Sequence, residues 1–407
     1  MKCRHCAAEL TRCILDLGTA PPSNAYLRAE ALDTPETYFP LRLMVCEACW
    51  LVQTEDFTGR EALFTEDYSY FSAFSTSWLE HSKRYVEAMI ARFGLDAQST
   101  AAEVAANDGY LLQYVRNAGI PCYGIEPTAS TAAAARARGI EIVERFFGVD
   151  VAAELASDGR QADLIAANNV LAHVPDINDF VGGFARLLKP GGVATFEFPH
   201  LCELITNTQF DTVYHEHYSY LPLTVVTRIF ASSGLAVFDV ERLPTHGGSL
   251  RVFAQHAGGP HAELPAVAAL LQEEHALGVC TINYYARLQE AAERVKDNLV
   301  RFLVDVRRDG LRVAAYGAAA KGNTLMNFAG VRPDLVRYVV DRNPAKVGRF
   351  MPGSRIPIVD EDRLREDRPD IILILPWNLR HEVTAQLAYA RQWGARFAVA
   401  VPQLQFA

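Results

Sequence analysis

The sequence predicts an α/β protein built in three parts, and three patterns along its 407 residues carry that prediction. Two Cys-x-x-Cys knuckles near the N-terminus predict a small metal-binding domain, residues 1–75. From about residue 100, short apolar strands alternate with helical segments, which predicts a central Rossmann-like domain, residues 76–255. A second alternation after residue 312 predicts a C-terminal Rossmann-like α/β domain, residues 256–407. Composition agrees: 50% hydrophobic and 21% charged residues exclude wholesale disorder. A net charge of −9 without a basic run excludes sequence-independent nucleic-acid and anionic-membrane binding. The densest apolar run, Ile371 to Leu375, stops at Pro376, and the N-terminus has no apolar signal core. A soluble cytoplasmic protein is expected; oligomeric state is silent, and a monomer is compatible with the sequence.

In the first part, Cys3-x-x-Cys6 and Cys46-x-x-Cys49 can each present two thiolates to one tetrahedral ion. Four thiolates leave no open position, so structural Zn²⁺ is expected, as a staple for a segment too small to bury a core alone. Coincidental or redox-active pairs are the competing reading. His5 lies inside the first knuckle as a bystander. Cys13, Cys122, Cys202 and Cys280 lack comparable pairing and read as buried small hydrophobes. An aromatic stretch from Phe64 to Phe74 follows, in which Tyr68 and Tyr70 either line a pocket facing the next domain or pack at a junction. It leads into a helix over 77–93.

In the central part, a strand runs from Thr100 into a loop ending at Gly109, then a helix from Tyr110 to Ala118. The second strand ends at Glu126, a carboxylate placed to accept both hydroxyls of a ribose. A further strand ends in Asn168-Asn169, and the Leu187-to-Gly192 turn precedes a strand from Val193 to Phe198. The E-x-G-x-G-x-G loop of S-adenosylmethionine enzymes is present as Glu103-x-Ala105-x-Asn107-x-Gly109, with only its last glycine kept. Together with Glu126, Asn168 and the Lys-Pro-Gly-Gly turn, it favours a methyltransferase core over a dehydrogenase. Beyond it, Tyr214-His215-Glu216-His217 is the densest titratable cluster. No third metal ligand is near, and mutual hydrogen bonds could merely fix a loop. General acid–base work is the favoured reading, with His215 and His217 sharing a face of an extended segment and Glu216 facing away.

Thr245 to Phe253 reads as a turn and the closing strand of the middle domain, followed by one long helical stretch over 262–308. The C-terminal unit enters Gly317-Ala-Ala-Ala-Lys321-Gly322-Asn323, a small-residue loop with one cation opening a helix, suited to a diphosphate. Asp341 ends the next strand where a nucleotide site would have a carboxylate, and Lys346 adds charge. Close strand–helix packing is the competing explanation of the small residues.

The two knuckles, Asn107-Asp-Gly-Tyr-Leu-Leu112, Tyr214-His-Glu-His217 and Gly317-Ala-Ala-Ala-Lys321-Gly-Asn-Thr324 come in one order over nearly the whole chain. In this the chain resembles the sugar C-methyltransferases of antibiotic deoxysugar biosynthesis, which act on nucleotide-linked 4-keto-deoxyhexoses at C-3. The resemblance implies a zinc domain held by Cys3, Cys6, Cys46 and Cys49, a central S-adenosylmethionine domain and a C-terminal α/β domain. It implies His217 as the base that removes the C-3 proton, Tyr214 and Glu216 fixing or polarising the sugar, and His173 and Tyr68 as further members of the pocket. The expected partner is a nucleotide-diphosphate sugar, with the C-terminal half holding the diphosphate. Such a reaction needs a base poised near neutral pH and a donor for the developing oxyanion, but no catalytic metal or redox cofactor. An O- or N-methyltransferase of a small metabolite, a nicotinamide-dependent enzyme using the Gly317 loop, and a zinc-ribbon interaction protein with a vestigial core are the alternatives.

Overall fold

The structure, a computed structural model, describes residues 1–57 and 71–406. Three sheets organise it. The first is antiparallel: β1 (Arg12–Ala20), β2 (Phe39–Val45) and β3 (Val52–Thr54) alternate buried and exposed residues only in part. Its fourth strand comes from far along the chain, β9 (Ser219–Tyr220), which pairs with β3 as Val52↔Tyr220 and Gln53↔Ser219. A sheet this small buries its faces against both neighbours. Leu15 and Leu43 share one core with Leu299, Leu303 and Val313, while Cys3, Leu10 and Cys49 share another with Phe196 and Phe230.

The second sheet has the order β10-β11-β8-β7-β4-β5-β6. Its members are β4 (Ala101–Val104), β5 (Cys122–Ile125), β6 (Glu141–Val143), β7 (Ala162–Asn168), β8 (Leu188–Pro199), β10 (Leu235–Leu243) and β11 (Ser249–His256). The strands β4 to β8 are parallel, and β4, β5 and β7 at the centre are almost wholly buried, as expected where helices cover both faces. β11 is antiparallel to both β8 and β10, which departs from the all-parallel dinucleotide-binding order. Strand order reverses between β4 and β7, so the crevice opens at their C-terminal ends, beside Ala105 and Asn168.

The third sheet runs β14-β13-β12-β15-β16-β17, parallel except for its last strand. It comprises β12 (Val313–Tyr316), β13 (Val339–Val340), β14 (Ile358–Val359), β15 (Ile371–Ile374), β16 (Arg396–Val399) and β17 (Gln405–Phe406). Its own reversal lies between β12 and β15, beside the helix start that carries Lys321 and the short turn that carries Trp377.

Several elements differ from the sequence reading. The 262–308 stretch is two helices, Pro265–Leu277 and Leu288–Arg308, because Gly278 turns left-handed at φ 80° and terminates the first. The Lys-Pro-Gly-Gly segment is a bulge inside β8 rather than a turn before it, since Ala162 pairs with Leu188 and Leu164 with Val193. Helix 110–118 shortens to Leu112–Asn117. Among the lone cysteines only Cys202 is buried; Cys122 and Cys280 are half-buried and Cys13 is exposed on β1. No helix among the described residues is long and apolar enough to cross a membrane.

Candidate active site

In each knuckle the chain doubles back after its second cysteine. Ala7 (φ 60°) and Trp50 (φ 66°) are left-handed, and their amides donate to the carbonyls of Cys3 (3.0 Å) and Cys46 (2.7 Å). The result brings the Sγ atoms of Cys3, Cys6, Cys46 and Cys49 within 4.8 Å of one another, with Cys3–Cys49 and Cys6–Cys46 at 3.5 Å. Zinc–sulfur bonds of about 2.3 Å in a tetrahedron require S···S separations of about 3.8 Å, so the four thiols fit a structural Zn²⁺. His5 points away, its Nδ1 2.8 Å from Asn178 Oδ1. A second cluster, His200, Cys202 and Glu274, is different in kind. The Glu274 carboxylate already accepts from Leu223 N, Thr224 N, Thr224 Oγ1 and His200 Nε2, at 2.6–2.8 Å. That fills the lone-pair directions of a carboxylate, and the cluster clips three helices together, Leu201–Thr206, Leu223–Ser232 and Pro265–Leu277.

At the C-terminal end of β4 the backbone is left-handed at every second residue: Ala105 (φ 60°), Asn107 (φ 48°) and Gly109 (φ 76°). The glycine loop's conformation therefore survives the loss of two glycines. Asn tolerates it, and here its side chain is used as well, Oδ1 accepting from Ser72 N at 2.9 Å. Ala105 is strained. Ala105→Gly is expected to stabilise the fold by up to about 1 kcal/mol, strain relief exceeding the added chain entropy, measured by urea unfolding. Glu126 is held at the tip of β5 by Asn107 N (2.9 Å) and Thr128 N (3.0 Å), and burial raises its pKa against those hydrogen bonds. Asn168, buried at the tip of β7, has neither amide atom bonded within the protein. Glu126 and Asn168 line one cavity of about 330 Å³ together with Ala105 and Asn107. An enclosed amide without partners beside a carboxylate and a ring of backbone turns fits the amino-acid and ribose groups of S-adenosylmethionine. Glu103 and Gly109 lie behind the wall. Glu103 is wholly buried, with burial pushing its carboxyl far above the usual range, and Gly109 packs on Ala135 and Ile140.

The same cavity continues to the Tyr214–His217 segment. This is a turn rather than an extended stretch, closed by His217 N→Tyr214 O at 2.9 Å. The alternation expected for an extended chain is lost. Glu216 and His217 both face the cavity, while His215 turns away to Pro40 O (3.2 Å) and the Phe39 ring. His217 Nδ1 lies 2.9 Å from the carbonyl of Thr212, which can only accept, so Nδ1 carries the proton and Nε2 the lone pair. Tyr214 Oη donates to that Nε2 at 2.6 Å. Burial, then His173, lowers the pKa of His217 well below the ordinary histidine value. His173 stands edge-on at 4.5 Å, its own pKa lowered to about 4 by burial. Glu216 receives Asn24 Nδ2 at 2.8 Å on both oxygens, yet burial pushes its pKa to about 7. A carboxyl with a raised folded pKa weakens the folded state as pH climbs from its unfolded pKa through 7. Glu216→Gln is therefore expected to gain stability relative to the parent between pH 5 and 8, by at most about 3 kcal/mol, in parallel unfolding titrations. Tyr68 lies outside the described residues.

From the third sheet, Lys321 and Lys346 reach the cavity. Lys321 Nζ donates to Asn378 Oδ1 (2.8 Å) over the Trp377 ring, and burial lowers its pKa. Lys346 Nζ donates to Ala318 O at 2.8 Å. Gly317, Gly322 and Asn323 do not line the cavity: the glycines admit Pro376 and Leu375, and Asn323 Nδ2 donates to Ser23 O at 2.6 Å. Asp341 turns both oxygens to amides of its own loops, Ala318 N and Asn343 N. Small residues there serve close packing as well as any ligand. Sequence reasoning missed Asn24, Trp78 and His246, which all line the cavity. For His246 the signal was available, a histidine followed by two glycines at a tight turn.

Three family profiles match in chain order: a zinc binding domain over residues 3–64, a methyltransferase domain over 78–240 and a C-methyltransferase C-terminal domain over 244–402. The C-methyltransferase NovU of Streptomyces niveus is 34% identical over 402 residues, 99% of this chain and 96% of that one. Among solved structures, the Burkholderia thailandensis 1,6-didemethyltoxoflavin-N1-methyltransferase is 16% identical, covering 51% of this chain and 95% of its own, at a TM-score of 0.38. The magnesium protoporphyrin IX methyltransferase ChlM of Synechocystis PCC 6803 is 14% identical, covering 43% and 82%, at 0.35. A relative of that identity across nearly the full length of both chains makes this protein a member of the C-methyltransferase family, an S-adenosylmethionine-dependent enzyme with an N-terminal zinc site.

Proposed function

We propose that the enzyme methylates C-3 of a nucleotide-linked 4-keto-deoxyhexose through an enolate, with His217 as the base. One observation carries the reading: a neutral imidazole whose tautomer is fixed by Thr212 O lines a cavity shared by the methyl-donor loop and two lysines, Lys321 and Lys346. A saturated C–H does not attack a methyl group, but a neighbouring ketone makes its proton removable. When bound, S-adenosylmethionine supplies an electrophilic methyl on a sulfonium. His217 Nε2 takes the C-3 proton as Tyr214 Oη releases it and turns its O–H to a substrate oxygen. The resting imidazole is a weak base because burial, and after it the neighbouring His173 and Lys321, disfavour its cation; an anionic diphosphate entering the cavity offsets the part due to charge. Glu216, fixed by Asn24, accepts from a sugar hydroxyl, and His173 packs the far side of His217.

The division of labour in this reading follows the chain. Residues 1–75 hold zinc, 76–255 hold the methyl donor through Ala105, Asn107, Glu126 and Asn168, and 256–407 hold the nucleotide. Lys321, with Lys346, meets the diphosphate, while Gly317, Gly322 and Asn323 shape the loop that carries Lys321. Tyr68 belongs to the sugar pocket on the strength of the resemblance alone. The test is incubation with S-adenosylmethionine and a nucleotide 4-ketohexose in heavy water. Methylation at carbon with solvent exchange at C-3 is expected. Methylation at oxygen or nitrogen without exchange would replace this reading by simple transfer, and binding of NAD but not of S-adenosylhomocysteine would replace it by redox chemistry.

A further inference from the structure

The turn Thr245–Gly247 enters the cavity between the two halves of the enzyme, and its middle residue is in an unusual state. His246 is left-handed (φ 56°, ψ 16°), a conformation that a Cβ-bearing residue adopts only when its surroundings impose it. Here they do. Thr245 Oγ1 donates to Glu197 Oε1 at 2.9 Å, and Glu197 is itself gripped by His81 (2.8 Å) and Arg251 (3.0 Å). Gln209 Nε2 donates to Gly247 O at 2.8 Å. The two following glycines are also left-handed (φ 93° and 117°). A Cβ on the first would meet Trp377 at 2.4 Å, and one on the second would meet Glu203 at 2.5 Å. Residues of both the second and third sheets thus press one strained histidine into the cavity.

Its ring is placed but not employed. Trp78 meets it edge-on at 5.2 Å, and its Nδ1 is enclosed with no hydrogen-bond partner. An enclosed ring nitrogen without a partner is costly unless a ligand or water supplies one. His217 differs, both its nitrogens being engaged by Thr212 O and Tyr214 Oη. Burial, then Lys321, lowers the pKa of His246 to about 4, so the ring is neutral at neutral pH and carries one N–H donor. An enolisation needs two groups, a lone pair at the C–H and a donor at the carbonyl oxygen where negative charge gathers. A neutral imidazole is an effective donor to an enolate oxygen because it stabilises charge without surrendering its proton.

We propose that His246 is a catalytic residue that donates its ring N–H to the substrate's carbonyl oxygen as the enolate forms. The proposal rests on the enolate reading of the reaction. No covalent bond to His246 forms or breaks: the C-3 proton goes to His217, the electron pair of that C–H bond becomes the C-3–C-4 double bond while the carbonyl π pair moves onto oxygen, and His246 holds that oxygen.

His246→Gly removes the imidazole and relieves the backbone, so it is expected to melt no lower than the parent and to bind S-adenosylhomocysteine with unchanged affinity. Its kcat for methylation, and its rate of C-3 solvent exchange with S-adenosylhomocysteine bound, are expected to fall about 10²–10³-fold, with KM changed far less. Imidazole added to the buffer is expected to restore part of the exchange. A residue that merely shaped the turn would give neither the kcat-specific loss nor the rescue. Exchange and kcat within threefold of the parent, at unchanged melting temperature, would overturn the assignment. If the parent itself neither exchanges nor methylates a nucleotide 4-ketosugar, the reading beneath it fails first.

Discussion

His217→Asn is expected to lower kcat for carbon methylation by about 10²–10⁴-fold, the span that general-base groups contribute. Asparagine can still donate to Thr212 O, so the turn from Tyr214 to His217 should hold and the melting temperature should stay close to the parent's. What it lacks is a basic lone pair where Nε2 stands. Solvent exchange at C-3 should fall in step with methylation, because both begin with the same proton removal. S-adenosylhomocysteine affinity, measured by calorimetry, should not change, since the residues proposed to hold the donor stand at the ends of β4, β5 and β7 rather than on this turn. Tyr214→Phe leaves Nε2 free and should cost less. Exchange that persists at the parent rate in His217→Asn would assign the base elsewhere, with Glu216 first in line because its pKa of about 7 suits proton transfer.

Removing zinc should be as damaging, by another route. Structural zinc in small domains supplies about 10–16 kcal/mol of apparent binding free energy, comparable with the whole stability of a typical domain. The ribbon it holds is joined to the turn of His217 at several points. β3 pairs with β9, Thr54 Oγ1 donates to His217 O at 3.0 Å, Thr54 N to Tyr218 O at 3.1 Å, and Arg4 Nε to Tyr218 O at 3.3 Å. Arg4 is in turn paired with Asp56. Cys46→Ser, or exhaustive chelation, is therefore expected to release one zinc per chain, lower the melting temperature by many degrees and abolish C-3 exchange. S-adenosylhomocysteine binding should survive better than exchange, as the second sheet keeps its own core. Elemental analysis, thermal melts and the exchange assay check this together; a zinc-free protein that still exchanges at C-3 would show that the ribbon does not support the turn.

The zinc ligands were legible because their chemistry needs only short spacing and a tetrahedral ion to bring them together. Glu126 and Asn168 were legible because a strand end fixes where a residue stands relative to its crevice. Other readings failed where the chain turned. His215 was placed beside His217 by period-two logic, which a single amide-to-carbonyl hydrogen bond at Tyr214–His217 cancels. Gly317, Gly322 and Asn323 looked like a diphosphate cradle, but small size serves packing against Pro376 and Leu375 equally well. Of that segment, Ala319, Ala320 and Lys321 line the cavity.

The sequence by itself determined the three-part α/β plan, the zinc ligands and the place of Glu126 and Asn168 at strand ends, because each depends on neighbours in the chain and on local backbone chemistry. Only the tertiary structure decided that one cavity joins all three parts. It brings Asn24 to Glu216, β3 to β9 and His246 to the turn of His217 across separations of about 30 to 190 residues. Such meetings follow from which apolar faces bury one another, and no local pattern encodes them. The protonation states that matter follow from the same burial, which holds His217 and His246 neutral and lifts Glu216 to about 7.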